Sequence, residues 1–380
     1  MLFSNVIGQR PVKERLINSV KNGRVSHAQL FLGTEGGGAL PLAMAYAQFL
    51  LCKNRNANDS CGKCSGCLKA EKLIHPDIHF VYPLALSKDV ETSTDVSAEW
   101  RQAFLENPYL SLHDWFSHIA AENKQPVIGV KESTEILRKL SLTTYEGEFK
   151  IMLIWHPEKM NVQAANKLLK ILEQPPDKTI FLLVSGNEEA LLRTIVSRTQ
   201  LIKTARISDE EIKNALIEKG IAANDAARIA YLSDGDYNAA QKLTAENHEE
   251  KYYLHQFREW IRMCFSGKIA DVVSWVEEIA NAKVGREKQK GFLCYGMNII
   301  RECLAGIYGD KKLLRVDGEE LDFVQKLSTL LDGNTCRKLS DELNEAILHI
   351  ERNGNGKIIF TDLSLKFMSV YQQTKKQFVK

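Results

Sequence analysis

An α/β domain with a parallel sheet, followed by an all-helical region, is the fold class that this 380-residue sequence predicts. Three observations predict it. Short apolar runs (Gln29–Leu32, Ile78–Tyr82, Lys150–Trp155, Thr179–Ser185 and Gln200–Lys203) alternate with helix-like segments, which is the pattern of parallel βαβ units. After Thr204 only helical periodicity continues. Between the first apolar run and the next helix lies Gly33-Thr34-Glu35-Gly36-Gly37-Gly38-Ala39-Leu40, a glycine loop placed where a phosphate-binding loop belongs.

The elements can be justified in order. Residues 5–24 carry an opening helix, with Val6, Ile7, Val12, Leu16, Ile17 and Val20 on one face and Gly23 closing it. The segment 41–51 is apolar nearly all round and should be buried. Residues 86–126 are polar and irregular, with Trp100, Phe104, Tyr109, Trp115 and Phe116; they read as an insertion with short helices whose aromatics form a satellite core, with a partner surface as the alternative. A helix begins at 127–130, where Ile136, Leu137, Leu140 and Leu142 make a stripe. The helix over 161–174 stops at Pro175-Pro176. A short helix over 191–196 precedes Ser197-Arg198-Thr199. Residues 208–243 form a small helical group, opened by Ser208 as N-cap with acids in the first turn. Amphipathic segments then run to the end, with a turn expected at Asn353-Gly354-Asn355-Gly356.

Composition narrows the function classes. Hydrophobic residues make up 44% and charged residues 26%, the balance of a soluble globular protein. The net charge of +2 argues against strong non-specific DNA binding by the whole chain. No long apolar run or leader-like N-terminus suggests a membrane, so a cytoplasmic location is expected. The eight cysteines then read as reduced thiols or metal ligands. Cys52, Cys61, Cys64 and Cys67 are spaced C-x8-C-x2-C-x2-C in a polar segment, which suits a structural, four-coordinate zinc ion. Free thiols or a redox pair are the alternative. His75 and His79 lie nearby, but four cysteines already suffice. Cys264, Cys294, Cys303 and Cys336 read as ordinary buried thiols.

The loop keeps a shape and loses a chemistry. Gly33 and Gly38 are the outer glycines of a G-x-x-x-x-G-K-[ST] pattern, yet Ala39 and Leu40 replace the lysine and the hydroxyl residue. Those two groups would neutralise the β/γ-phosphates and ligate Mg²⁺. Glu35 adds a negative charge. The third apolar run ends in Trp155-His156-Pro157-Glu158, without the acids that would hold Mg²⁺. His156 reads as a partly exposed loop histidine rather than a base. ATP is therefore not expected to bind, and no intrinsic catalysis is expected.

Several stretches, in order, resemble the delta-prime family of bacterial DNA polymerase III clamp-loader subunits, within the AAA+ proteins. They are Val6-Ile7-Gly8-Gln9, His27-Ala28 with Leu30–Gly33, the four-cysteine module, Tyr145-Glu146-Gly147 with Lys150, Gln163–Lys170, Leu172–Pro176 and Ser197-Arg198-Thr199. The resemblance covers roughly the first 245 residues. It implies an AAA+ core over 1–204, with a zinc module at 52–67 and the insertion at 86–126. It further implies a helical lid over 205–247 and an all-α collar for oligomerisation over 248–380. It also implies that Arg198, with Ser197, is an arginine finger reaching ATP in a neighbouring subunit. Asn238 falls where motor subunits of the related gamma/tau type keep a sensor arginine. The implied partners are those motor subunits, a delta-type clamp-opening subunit and, through the complex, the sliding clamp and primed DNA. DNA-directed DNA polymerase activity would belong to the complex. Two alternatives stand beside this reading: an active AAA+ motor with an unorthodox nucleotide site, and a free-standing zinc-dependent nucleic-acid-binding module.

Overall fold

The apolar runs become five strands, and each lies next to its partners in parallel. The computed structural model describes residues 1–378 except 123, 245–247, 282–284, 310–313, 317 and 353. The strands are β1 (Ala28–Leu32), β2 (Ile78–Val81), β3 (Lys150–Trp155), β4 (Thr179–Ser185) and β5 (Gln200–Lys203). They form one sheet in the order β2-β3-β4-β1-β5. Register pairs Leu32 with Ser185, and Trp155 with Val184, so the strand ends line up at one edge. β3 and β4 are buried at every residue, which is why they read as unbroken apolar runs rather than alternating ones.

Helices cover both faces. Before β1 lies α1 (Arg10–Lys21), and between the strands lie α2 (Ala39–Leu51), α3 (Ser65–Glu71), α4 (Ser97–Glu106), α5 (Leu112–His118), α6 (Val130–Ser141), α7 (Val162–Glu173) and α8 (Arg193–Val196). All thirteen residues of α2 are buried, as its uniform apolarity predicts. One face of the sheet packs on α2 and the N-terminal segment. The other packs on α6, α7 and α8. The opening helix is shorter than its hydrophobic periodicity suggests. It starts at Arg10, because Pro11 favours a helix start and Gln9 before it is left-handed (φ 57°). Val6 and Ile7 precede the helix and still face the interior.

The chain divides into two compact units, 1–244 and 245–380. The first includes three helices after the sheet: α9 (Asp209–Glu218), α10 (Ala223–Leu232) and α11 (Tyr237–Thr244). Ser208 and Glu211 make a reciprocal capping box at the start of α9. The second unit holds α12 (His248–Ser266), α13 (Ile269–Ile279), α14 (Arg286–Tyr308), α15 (Gly318–Ser328), α16 (Gly333–Glu351) and α17 (Gly356–Phe378). Its core is aromatic: Phe257, Trp260, Trp275, Phe292, Phe360 and Phe367 pack together. Trp260 donates to Ser364 Oγ at 2.9 Å, so the buried indole N–H is satisfied. Cys264, Cys303 and Cys336 are buried there, and Cys294 is half-buried. The α/β core and the all-helical region are thus as predicted. Asn353 of the expected turn, and residues 245–247 at the expected lid boundary, lie outside the described residues. No helix among the described residues is long and apolar enough to cross a membrane.

Candidate functional site

A cleft opens at the carboxyl ends of the central strands, the position at which ligands bind in open α/β sheets. The loop 33–41, Trp155 and His156 at the end of β3, and 184–186 after β4 line it. Pro108, Tyr109 and Leu110 from the insertion also line it. Gly36 and Gly38 are left-handed, at φ 67° and 94°. A Cβ on Gly36 would lie 1.7 Å from Asp236 Oδ1, so the loop touches the α11 region closely enough to require glycine there. Ala39 and Leu40, each 5% exposed, belong to the main core and also form part of the cleft lining, so the cleft presents apolar groups there. Gln9 ties the loop in place. Its Nε2 donates to Gly37 O at 3.0 Å and to Ala205 O at 2.5 Å, and its Oε1 accepts from Ala205 N.

His156 departs from expectation: it is buried, not partly exposed. The chain turns left-handed at His156 (φ 53°), which swings the ring back under the loop. Its Nδ1 meets Glu158 Oε1 at 2.8 Å. Nε2 lies 3.3 Å from Glu35 Oε1, near enough to pair electrostatically but off the line of a full hydrogen bond. Burial alone would lower the imidazole pKa; the two carboxylates outweigh it and raise it. Glu35 is held below the usual carboxylate range, since its contacts to His156 and the Leu112 N–H outweigh burial. Burial pushes Asp236 up. Whereas a nucleotide-binding loop would have a lysine, this loop has Glu35, which shares the His156 imidazole with Glu158, while Asp236 lies against Gly36.

The insertion aromatics do not form a satellite core. Trp100, Phe104, Trp115 and Phe116 join the main core with α2 and the strands. Trp100 stacks on Tyr82 at 4.2 Å and reaches Trp155 at 5.1 Å, so indole occupies the strand end where Mg²⁺-binding acids would stand. Tyr109 instead joins the apolar cluster of α9–α11. Asn238, on α11, is buried against the insertion and bonded to Asn107 and Asp114.

Arg198 lies just past α8, about a third exposed. Its Nε and Nη2 donate to Glu173 Oε1 at 2.8 and 2.5 Å, and Nη1 donates to Thr194 O at 3.0 Å. Ser197 Oγ donates to Thr194 O. Within this chain the guanidinium therefore joins the ends of α7 and α8. The partner Glu173 carries no signal of its own in the sequence; only the fold brings it to Arg198.

The four cysteines converge. One Sγ from each of Cys52, Cys61, Cys64 and Cys67 lies within 4.8 Å of the others, and Cys61 and Cys67 sulfurs are 3.9 Å apart. Four sulfurs at about 2.3 Å from one tetrahedral zinc stand roughly 3.8 Å apart, so the donor set fits such an ion. Backbone N–H groups of Cys61 and Cys64 point at Cys52 Sγ and Cys61 Sγ, each at 3.3 Å. The amides of Lys63 and Cys64 bring Cys61 down to about 6, favouring thiolate, while burial pushes Cys52 and Cys67 up. Cys67 sits on α3, a short helix the loop-like composition did not signal. His75 stands outside the four-cysteine group: its Nδ1 accepts from the Asp77 amide and its Nε2 faces Glu146 Oε1 at 3.5 Å. His79 lies in β2 and is half-buried.

A parallel sheet in this order, with a glycine loop and cleft at its carboxyl edge and helices 209–244 packed over it, defines an AAA+-type core. A family model described as DNA polymerase III, delta subunit, matches residues 8–208, and the chain belongs to that family. DNA polymerase III subunit delta' of Bacillus subtilis (strain 168) is 28% identical over 242 residues, covering 64% of this chain and 60% of that protein. Subunit delta' of Escherichia coli (strain K12) is 28% identical over 235 residues, covering 62% and 59%. Subunit gamma of Buchnera aphidicola subsp. Acyrthosiphon pisum (strain APS) is 26% identical over 247 residues, covering 63% and 57%. The chain thus aligns with about six-tenths of the length of these relatives.

Proposed function

We propose that this chain is a non-hydrolysing, delta-prime-type subunit of a DNA polymerase III clamp loader, serving ATP chemistry on a neighbouring subunit. The observation that carries the reading is the state of the loop. Ala39 and Leu40 put buried apolar side chains in the cleft lining where a lysine and a hydroxyl would be needed, and Glu35 is held against His156. An approaching triphosphate would meet carboxylates without the lysine and hydroxyl that phosphoryl transfer uses. Family membership supports the clamp-loader role; the subunits named delta' and gamma among the relatives supply the expected partners. Those partners are motor subunits of the gamma/tau type, a delta-type clamp opener, the sliding clamp and primed DNA. Arg198, with Ser197 beside it, is the group offered to the neighbour's γ-phosphate, where a guanidinium stabilises the transition state. Zinc at Cys52, Cys61, Cys64 and Cys67 is structural, since four thiolates leave no open position for substrate. An active motor with an unorthodox site has no comparable observation in its favour. Equilibrium binding at millimolar ATP tests the reading. The purified chain takes up no nucleotide, and co-purifies with motor and clamp-opening subunits; stoichiometric ATP uptake and turnover by the chain alone would overturn it.

A further inference from the structure

The insertion 86–126 has no part in the function proposed above, yet its middle segment sits in the cleft. We infer that residues 107–114 form an intramolecular strap that fills the cleft and pins helices α9–α11 to the sheet, so that core and lid move as one body.

Both ends of the segment are anchored in the core. Trp100 on α4 is 1% exposed and stacked on Tyr82. Trp115 on α5 is fully buried, and its Nε1 donates to Pro83 O at 2.8 Å. The stretch between them touches the N-terminal segment, the glycine loop and α11, three parts that also meet one another at Gln9–Gly37 and Gly36–Tyr237. Tyr109 Oη accepts the Ile7 N–H at 2.8 Å, in the N-terminal segment. The ring packs edge-on against Tyr237 at 4.9 Å, and a Cβ on Gly38 would lie 3.5 Å from it. Toward the loop, the Leu112 N–H donates to Glu35 Oε1 at 3.3 Å.

Toward α11 the links are polar and charged. Asn107 Nδ2 donates to Asn238 Oδ1 at 2.6 Å, and Asn238 Nδ2 donates to Asp114 Oδ2 at 2.6 Å. Lys242 Nζ pairs with Asp114 Oδ1 at 2.6 Å. The same Asp114 carboxylate closes the Ser111 capping box of α5, so moving α11 away would unsettle the cap as well. Asn238 and Lys242 are thereby committed within the chain. Helices α9–α11 accordingly fall in the same compact unit as the sheet. In a nucleotide-driven subunit the lid must move relative to the core; here short-range bonds hold the two together.

The strap stands on these contacts and deepens the non-hydrolysing reading, so the test separates the two. Amide hydrogen exchange is followed in the full chain, wild type against Tyr109→Phe and Asp114→Asn. Tyr109→Phe removes only the acceptor of the Ile7 amide; Asp114→Asn keeps the shape and removes the charge facing Lys242. The expected result is faster exchange, by about tenfold, at the Ile7 amide in the first variant and across α11 in both, with β3 and β4 amides at wild-type rates. Unchanged exchange at Ile7 and α11, or equal acceleration everywhere, would overturn the strap. If one variant does not fold, the other decides. ATP uptake by the wild type would overturn the non-hydrolysing reading, while the strap is decided by exchange alone.

Discussion

At the scale of residues, His156 is the clearest case of position overriding type. A histidine after a strand reads as a loop residue, yet the left-handed turn at His156 and the apolar roof of Trp155 bury it between Glu35 and Glu158. The sign of its pH dependence follows. The pKa is raised in the folded state, so the stabilisation is complete below the ordinary histidine value of about 6.5 and is lost as pH rises through the folded value. Glu35 works at the other end: its pKa is lowered, and its contribution disappears as pH falls through that value. Denaturation midpoints measured from pH 6 to 9 should therefore fall more steeply for wild type than for His156→Gln; parallel curves would contradict the pairing. Arg198 is the second case. Its bond to Glu173 is partly exposed and contributes about 1 kcal/mol or less. On the proposed reading, a neighbour's nucleotide would compete for Arg198 against a bond of only that size.

At the scale of elements, the strands were legible because apolar runs in a two-sided parallel sheet leave few alternatives. The helices after Thr204 were legible from their period. The insertion was not. The aromatics between Trp100 and Phe116 announce burial but do not say against what, and only the fold shows Trp100 and Trp115 entering the main core while Tyr109 joins the lid. The motif Tyr145-Glu146-Gly147 also gains a physical reason. Asp77, 2% exposed, accepts the N–H groups of Tyr145, Glu146 and Gly147 at 2.6, 2.9 and 2.7 Å. Burial would raise this carboxyl; the three amides outweigh it and lower its pKa. Glu146 then pairs with Lys69 on α3, tying the cysteine module to the sheet edge. Asp77→Ala leaves three amides without their acceptor and should cost about 2–4 kcal/mol in urea denaturation; a change under about 0.5 kcal/mol would remove Asp77 from this role. For the module itself, metal analysis of protein purified without added zinc should give one zinc per chain, and Cys64→Ser should lose it and lower the melting temperature. A Cys64→Ser protein that folds and holds zinc normally would sink the assigned ligand set.

At the scale of the whole molecule, two cores stand separately: the sheet with helices α1–α11, and the aromatic bundle of α12–α17. The four cysteines and the cleft belong entirely to the first. Residues 1–244 expressed alone should therefore fold cooperatively and hold the same single zinc; an unfolded or zinc-free fragment would show that the second unit completes the first. In the proposed function the glycine loop serves as a joint between strand and helix, held by Gln9, Asp236 and the strap, and the chemistry belongs to a neighbour that Arg198 would reach. ATP turnover by the reconstituted loader, with clamp and primed DNA present, tests that assignment most directly. With Arg198→Ala in this chain, turnover should fall by about a thousandfold at the neighbouring site that this arginine completes, while assembly of the complex is unchanged. Turnover and clamp loading at wild-type rates would contradict the account.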